Sequence, residues 1–323
     1  MEVVRGMRQY IIRRLLLSVL VLLGVSLLVF LVLHFMPVDP VRELLMQHQT
    51  GTAPTTEGTI SDEQIAELRK QMGLDQPLYI QFARFVWNAL HGDFGQSWRN
   101  KRQVLTMIIA NAPDTIELSL AGMAISVTLG VVLGTVAAVK QNTAFDTIAM
   151  ILAVGGVCAP GFWLGLMLMM VFGLKLGWLP PIGSGTWRHL VLPAVTMGIG
   201  GAALVARLTR ANMVEVLRQE YITTARSKGL SERIVVAKHA LRNAMIPVVT
   251  VVGLSLGHML GGSVIIENVF GRPGLGGLAV DAIWEKDYPV VQTTVLMMAI
   301  SYVIANLLVD ILYGTLDPRI RYN

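Results

Sequence analysis

Six long apolar runs constrain this chain more than any other feature of its sequence. A helix needs about 20 apolar residues to cross a hydrocarbon core roughly 30 Å thick. The first run, Leu15 to Met36, is broken only by Ser18, Ser26 and His34. The others cover Leu118 to Val139, Phe145 to about Leu176 with Pro160 inside, His189 to Leu208, Ala244 to Ile266 and Val290 to Tyr313. In lipid every backbone N–H and C=O must be satisfied within the segment, so such runs form helices. The expected fold class is therefore all-α: a polytopic membrane protein with six transmembrane helices. Composition agrees, with 54% hydrophobic and 15% charged residues against about 25% charged in an average soluble domain. That excludes a disordered chain, a collagen-like chain and an ordinary soluble enzyme.

Six spans return both termini to one side, and charge indicates which. The formal charge is +5; with so few charges, a membrane surface rather than nucleic acid is the expected partner. Arg5, Arg8, Arg13 and Arg14 precede the first run, Lys140 lies in the turn after the second, and Arg319 and Arg321 are in the C-terminal tail. Between the fourth and fifth runs, Arg207, Arg210, Arg218, Arg226, Lys228, Arg233, Lys238 and Arg242 outnumber Glu215, Glu220 and Glu232. This excess on one side predicts cytoplasmic N and C termini. The first run is longer than a signal peptide's apolar region and lacks a small-residue cleavage site, so it reads as an uncleaved helix.

Three regions follow from this division. Residues 1–36 are the N-terminal tail and first span, 37–113 an external segment, and 114–323 a five-helix core. In the external segment, Ser61 or Asp62 is placed to cap a helix, and Gln81 to Leu90 has helical apolar spacing. Residues 51–58 read as a Thr/Gly-rich loop. The segment is a structural cap or a docking surface. Residues 214–243 form a basic connector inside the core: one helix over Val214 to Ser227, a stop at Gly229, and a second helix capped by Ser231.

The connector carries a resemblance. Tyr221-Ile222-Thr223-Thr224-Ala225-Arg226-Ser227-Lys228-Gly229-Leu230, followed by His239-Ala240-Leu241-Arg242-Asn243-Ala244 and Pro247, resembles the inner-membrane permeases of ATP-binding-cassette importers, in their dipeptide/oligopeptide/nickel branch. The general motif of those permeases is Glu-Ala-Ala, three residues, then Gly. Here Thr223 and Thr224 replace its first two positions, while Ala225 and Gly229 are kept. Gly73 to Leu78, Gly92-Asp93-Phe94-Gly95, Pro273 to Gly276, Asp287-Tyr288-Pro289-Val290, Asn306 to Asp310 and Asp317 to Arg321 extend the resemblance over almost the whole chain.

The resemblance implies a pore subunit, half of a translocation path. Its partners would be a second homologous permease, two ATP-binding subunits, an extracytoplasmic substrate-binding protein and the lipid bilayer, with no nucleic acid. ATP and Mg would be bound by the ATPase partners, with no cofactor in this chain. Glu220, Tyr221, Thr224, Ala225, Arg226, Lys228 and Gly229 would couple to the ATPase. The location implied is a bacterial or archaeal plasma membrane. The short link from Trp178 to His189 favours small peptide cargo, including the glutathione type; a nickel or metal chelate is the alternative.

Other motifs weigh against chemistry in this chain. No Gly-x-x-x-x-Gly-Lys-Ser/Thr loop is present, so the chain does not read as an ATPase. Gly253-x-Ser255-x-Gly257 matches a hydrolase elbow but falls inside an apolar run, where it reads as a Gly-x-x-x-Gly packing face. Gly130-x-x-x-Gly134 reads the same way, and Gly271 to Gly277 reads as a turn. A secondary transporter would need inverted repeats and several intramembrane ionisable groups, and neither pattern is seen. His34, His258 and Cys158 lack metal-ligand spacing. Cys158, the only cysteine, reads as a buried thiol. Candidate path residues are Pro160, Phe162 and Trp163 at the break in the third run, Glu267 and Asn268 at the outer end of the fifth, and Asp310 in the sixth.

Overall fold

In the computed structural model of the chain, residues 2–37, 39–49 and 62–316 are described; for 2–11, 46–49, 157, 262 and 310–316 only the backbone is. The expected loop at 51–58, the cap at Ser61, the Asp310 side chain and the Asp317 to Arg321 motif lie outside them. Among the described residues the fold is 81% helical with no strands. The helices are α1 (Glu2–Phe35), α2 (Pro40–Gln49), α3 (Asp62–Gln71), α4 (Leu78–Leu90), α5 (Val104–Val139), α6 (Ala144–Cys158) and α7 (Gly161–Leu168). They continue with α8 (Trp187–Leu217), α9 (Glu220–Ser227), α10 (Glu232–Ile234), α11 (Leu241–Val269), α12 (Leu275–Trp284) and α13 (Tyr288–Leu316). Wider π turns extend α7 over Met169–Lys175 and join α10 to α11 over Val235–Ala240.

Five of these helices are long and apolar enough to cross a membrane, and the pair Ala144–Gly156 and Gly161–Lys175 makes a sixth span if counted as one. That pair is the third run, broken at Pro160. Its two halves bend by 100°. Ala159 is extended at ψ 132° and Pro160 opens α7. A proline disfavours helical backbone in the residue before it and donates no N–H, so the ladder stops there. Helix α5 differs from expectation: it begins at Val104, well before Leu118, because Val104 and Ile108 are already buried, and it runs through Pro113.

The chain forms two compact units. One is built mainly from Pro113–Gly277 and the chain from Ser301 onward; the other from Ile12–Ala112 and Leu278–Ile300. In the first, α8 is the central helix, and its interfaces are made by glycine. A Cβ on Gly130 would meet Val205 at 2.5 Å, one on Gly134 the Thr209 Cβ at 2.7 Å, and one on Gly198 Ile125 at 2.5 Å. Ala153 of α6 buries with Ala203 and Ala206 of α8. A Cβ on Gly257 of α11 would stand 2.6 Å from the Tyr302 ring of α13. Lipid tails are as apolar as leucine, so spanning helices associate by close packing of small residues.

In the second unit, Asp287 is buried. It accepts the Ser97 hydroxyl and the Trp98 amide (3.1 Å), while the Trp98 and Tyr288 rings stack at 5.3 Å. His34 of α1 bonds Gln81 of α4 at 3.0 Å, and Lys286 pairs with Glu43 at 2.7 Å.

Candidate functional site

The connector between α8 and α11 is a short helix set between two turns. Helix α8 ends at Leu217, Gln219 is extended, and α9 follows. The single helix expected over Val214 to Ser227 is thus broken at Arg218–Gln219. The reason is rotational. At about 100° per residue, nine positions put Ile222 half a turn away from Met213, yet both are fully buried in one cluster. Only a break brings them to the same side.

That cluster roots the connector. Ile222 and Ala225, three positions apart on α9, pack with Ala138 at the end of α5, Met213 of α8, Val235 and Ala240 of the π turn, and Ala244 of α11. Burying one isoleucine is worth roughly 1.5–3 kcal/mol. The opposite face of α9 is exposed: Glu220, Tyr221, Thr223, Thr224 and Arg226, followed by Lys228 and Gly229. Of the coupling residues read from the sequence, Ala225 therefore faces inward, and Ile222, which that reading did not single out, is the anchor. The i, i+3 apolar pair in an otherwise polar stretch is the signal that identifies it.

Gly229 ends α9 as expected. Its φ is +77°, its amide donates to the Arg226 carbonyl at 2.9 Å, and the Leu230 amide reaches the Ala225 carbonyl at 3.4 Å. These two bonds are those of a Schellman turn, which needs a left-handed residue at its apex. Ser231 begins α10, but its hydroxyl makes no capping bond; its carbonyl accepts the Ile234 and Val235 amides instead. Arg226 closes over the turn on Glu232 with two bonds, 2.7 and 3.2 Å. That bond holds the Arg226 guanidinium above its ordinary pKa, against the opposing effect of burial. The Tyr221 hydroxyl accepts the Asn243 amide at 2.7 Å, tying α9 to α11.

The path candidates do not form one lining. Phe162 and Trp163 are half exposed beside the Pro160 break, which lies against α11 near Ile266. Asn268 is exposed and bonds back to the Val264 carbonyl. Glu267 is fully buried. One of its oxygens accepts the Thr115 hydroxyl and the other the Gly276 and Gly277 amides. It fastens the glycine-rich turn and does not line an open path. The Gly271 to Gly277 segment is thus a turn whose amides cradle an anion, and the anion is the chain's own carboxylate. Arg272, also buried, pairs with Asp114 at 2.8 Å and with Glu117.

Cys158 is exposed, contrary to the buried thiol expected, and it shares an open groove with Asp146 and Arg210. An apolar run in a membrane helix faces lipid as readily as protein, so apolar neighbours in sequence do not imply burial. Ser255 donates to the Val251 carbonyl of its own helix, and among the described residues no histidine is bonded to it, so the elbow reads as packing.

Comparison with known proteins decides the identity. Residues 130–322 match the family described as binding-protein-dependent transport system inner membrane component, and residues 7–119 match the N-terminal component of the same systems. The chain belongs to this family. It is 45% identical over 317 residues, 98% of this chain and 100% of the relative, to the glutathione transport system permease protein GsiC of Escherichia coli (strain K12), and equally to that of Shigella dysenteriae serotype 1. Inward-facing structures of the MetNI methionine ABC transporter share the fold. One has a TM-score of 0.57 at 16% identity, covering 66% of this chain and 97% of that one; another has 0.55 at 17%. As a binding-protein-dependent permease, the chain is a multi-pass inner-membrane component of an ABC importer of the peptide branch, a transport subunit and not a catalytic enzyme.

Proposed function

We propose that the chain forms half of the pore of an ATP-driven importer of small peptides, of the glutathione type. The observation that carries this reading is the 45% identity to GsiC along the whole chain. A second homologous permease supplies the other half, and an extracytoplasmic binding protein delivers the cargo. Two ATPase subunits bind ATP and Mg, one docking on α9 of this chain and the other on the second permease. The excess of cations in the connector supports placing it, with both termini, on the cytoplasmic side.

The physical role of α9 follows from its root. An element held only at its ends would absorb a push by bending. Ile222 and Ala225 bury α9 against residues of α5, α8 and α11, so displacement at its exposed face moves those helices with it. The chain makes and breaks no bonds of the cargo; it provides a gated passage, and ATP closure in the partners changes which side is open.

The test is a pulldown from gently solubilised membranes, comparing wild type with Gly229→Trp. Co-purifying ATPases and a second permease, with ATPases lost from the variant, support the reading. A wild-type chain that purifies alone or as a homo-oligomer overturns it.

A further inference from the structure

A cleft of about 1180 Å3 opens along α11 beside the connector. Its polar end is formed by Lys238 and His239 on the π turn and Arg242 one turn on. Its apolar floor continues along the same helix face at Ile246, Val249 and Leu256. The spacing explains the arrangement: positions 242, 246, 249 and 256 recur on one side of a 3.6-residue helix. Among the described residues, no Asp or Glu lines the cleft, and Lys238, His239 and Arg242 take part in no ion pair. Two other cations of the connector region are paired, Arg226 with Glu232 and Arg210 with Asp146. The Tyr221–Asn243 bond fixes the wall beside the cationic end.

A cleft with one sign of charge and low-dielectric walls focuses its field and concentrates the opposite charge. Its volume exceeds what a tripeptide needs and lies near the upper range of small-molecule sites. We propose that this cleft is a selectivity element for anionic peptides: Lys238 and Arg242 attract cargo whose carboxylates outnumber its ammonium groups, while the apolar floor accepts the uncharged side chains. The inference rests on the peptide-importer reading and names the charge class of its cargo. A peptide with two carboxylates and one ammonium loses hydration on entering an apolar passage, and two cations without an acidic partner among the described residues offset the loss at its end.

The experiment uses the complete transporter, with its partner permease and ATPases, in phosphatidylcholine vesicles enclosing ATP, with the binding protein outside. The probes are Ala-Glu-Ala and its neutral counterpart Ala-Gln-Ala, and the readout is the ratio of their uptake rates. The ratio cancels differences in the amount of folded complex, and the binding protein is the same throughout. Lys238→Gln with Arg242→Gln is expected to lower the ratio about tenfold, the order expected from losing two partly screened charge contacts. Lys238→Glu with Arg242→Glu is expected to lower it further. An unchanged ratio in both variants overturns the proposal. So does an unchanged ratio accompanied by loss of a stimulation that phosphatidylglycerol gives the wild type, which assigns the cleft to a lipid headgroup. If wild-type vesicles take up neither peptide, it is the peptide-importer reading that fails.

Discussion

Glu267 accepts the Thr115 hydroxyl at 2.7 Å across 152 positions of chain. The same carboxylate takes the amides of Gly276 and Gly277 at 2.8 and 3.1 Å. The bond ties the end of α11 to α5 and shapes the turn between α11 and α12. Gly274 and Gly276 are required there because a Cβ at either would overlap Glu267.

Removing the Thr115 hydroxyl strands the Leu275 amide, which donates to it at 2.8 Å, whereas removing the carboxylate strands three donors. Thr115→Val is expected to cost about 1–3 kcal/mol, and Glu267→Ala more, since each buried donor without a partner adds a penalty. Thermal unfolding of the detergent-purified protein measures both. A Glu267→Ala midpoint equal to wild type would mean the carboxylate carries no structural role.

Gly229 is constrained by its backbone and not by space, since nothing lies within 4 Å of a Cβ built there. Asparagine tolerates the left-handed region and valine does not. Gly229→Asn is therefore expected to retain ATPase association in the pulldown, and Gly229→Val to lose most of it, with a backbone cost of about 1–2 kcal/mol. Equal loss in both variants would instead indicate that the contact excludes any side chain.

At Gly257 the limit is space. Its Cβ would stand 2.6 Å from the Tyr302 ring, so Gly257→Ala is expected to destabilise by about 1–3 kcal/mol through overpacking. Two positions away, Ser255→Ala removes only a hydroxyl bonded within its own helix, and stability and transport should stay within about 0.5 kcal/mol of wild type. Loss of function in purified Ser255→Ala protein of normal stability would reopen a chemical role for that serine.

Asp146 and Arg210 join α6 to α8 through two bonds of 2.7 Å, with Asp146 almost fully buried. Breaking such a pair from the arginine side leaves a buried carboxylate with no countercharge and only the Asn142 amide, at 3.0 Å, donating to it. Arg210→Leu is expected to cost about 3–5 kcal/mol, and the double variant Asp146→Leu with Arg210→Leu less than that single change. Unfolding midpoints of the three variants settle the order; a double variant worse than Arg210→Leu would contradict it.

The sequence by itself determined the elements whose physics is local. Apolar runs long enough to span hydrocarbon became helices, because a chain in lipid can satisfy its own backbone in no other local way. Pro160 ended a helix through its ring and missing N–H, and Gly229 ended another by adopting positive φ. The glycine pairs at 130/134 and 253/257 showed which helix faces pack closely. What the linear pattern left open was which residues meet. The break at Arg218–Gln219 is written in no local signal; it exists because Met213 and Ile222 must enter one core. Asp287 meets Ser97, and Glu267 meets Thr115, across long stretches of chain. A carboxylate near a helix end reads alike whether it faces a passage or a neighbouring turn. Cys158 likewise shows that an apolar run in lipid does not reveal its buried side. Those choices belong to packing, where a side chain's role is set by the partner that removes it from solvent or lipid.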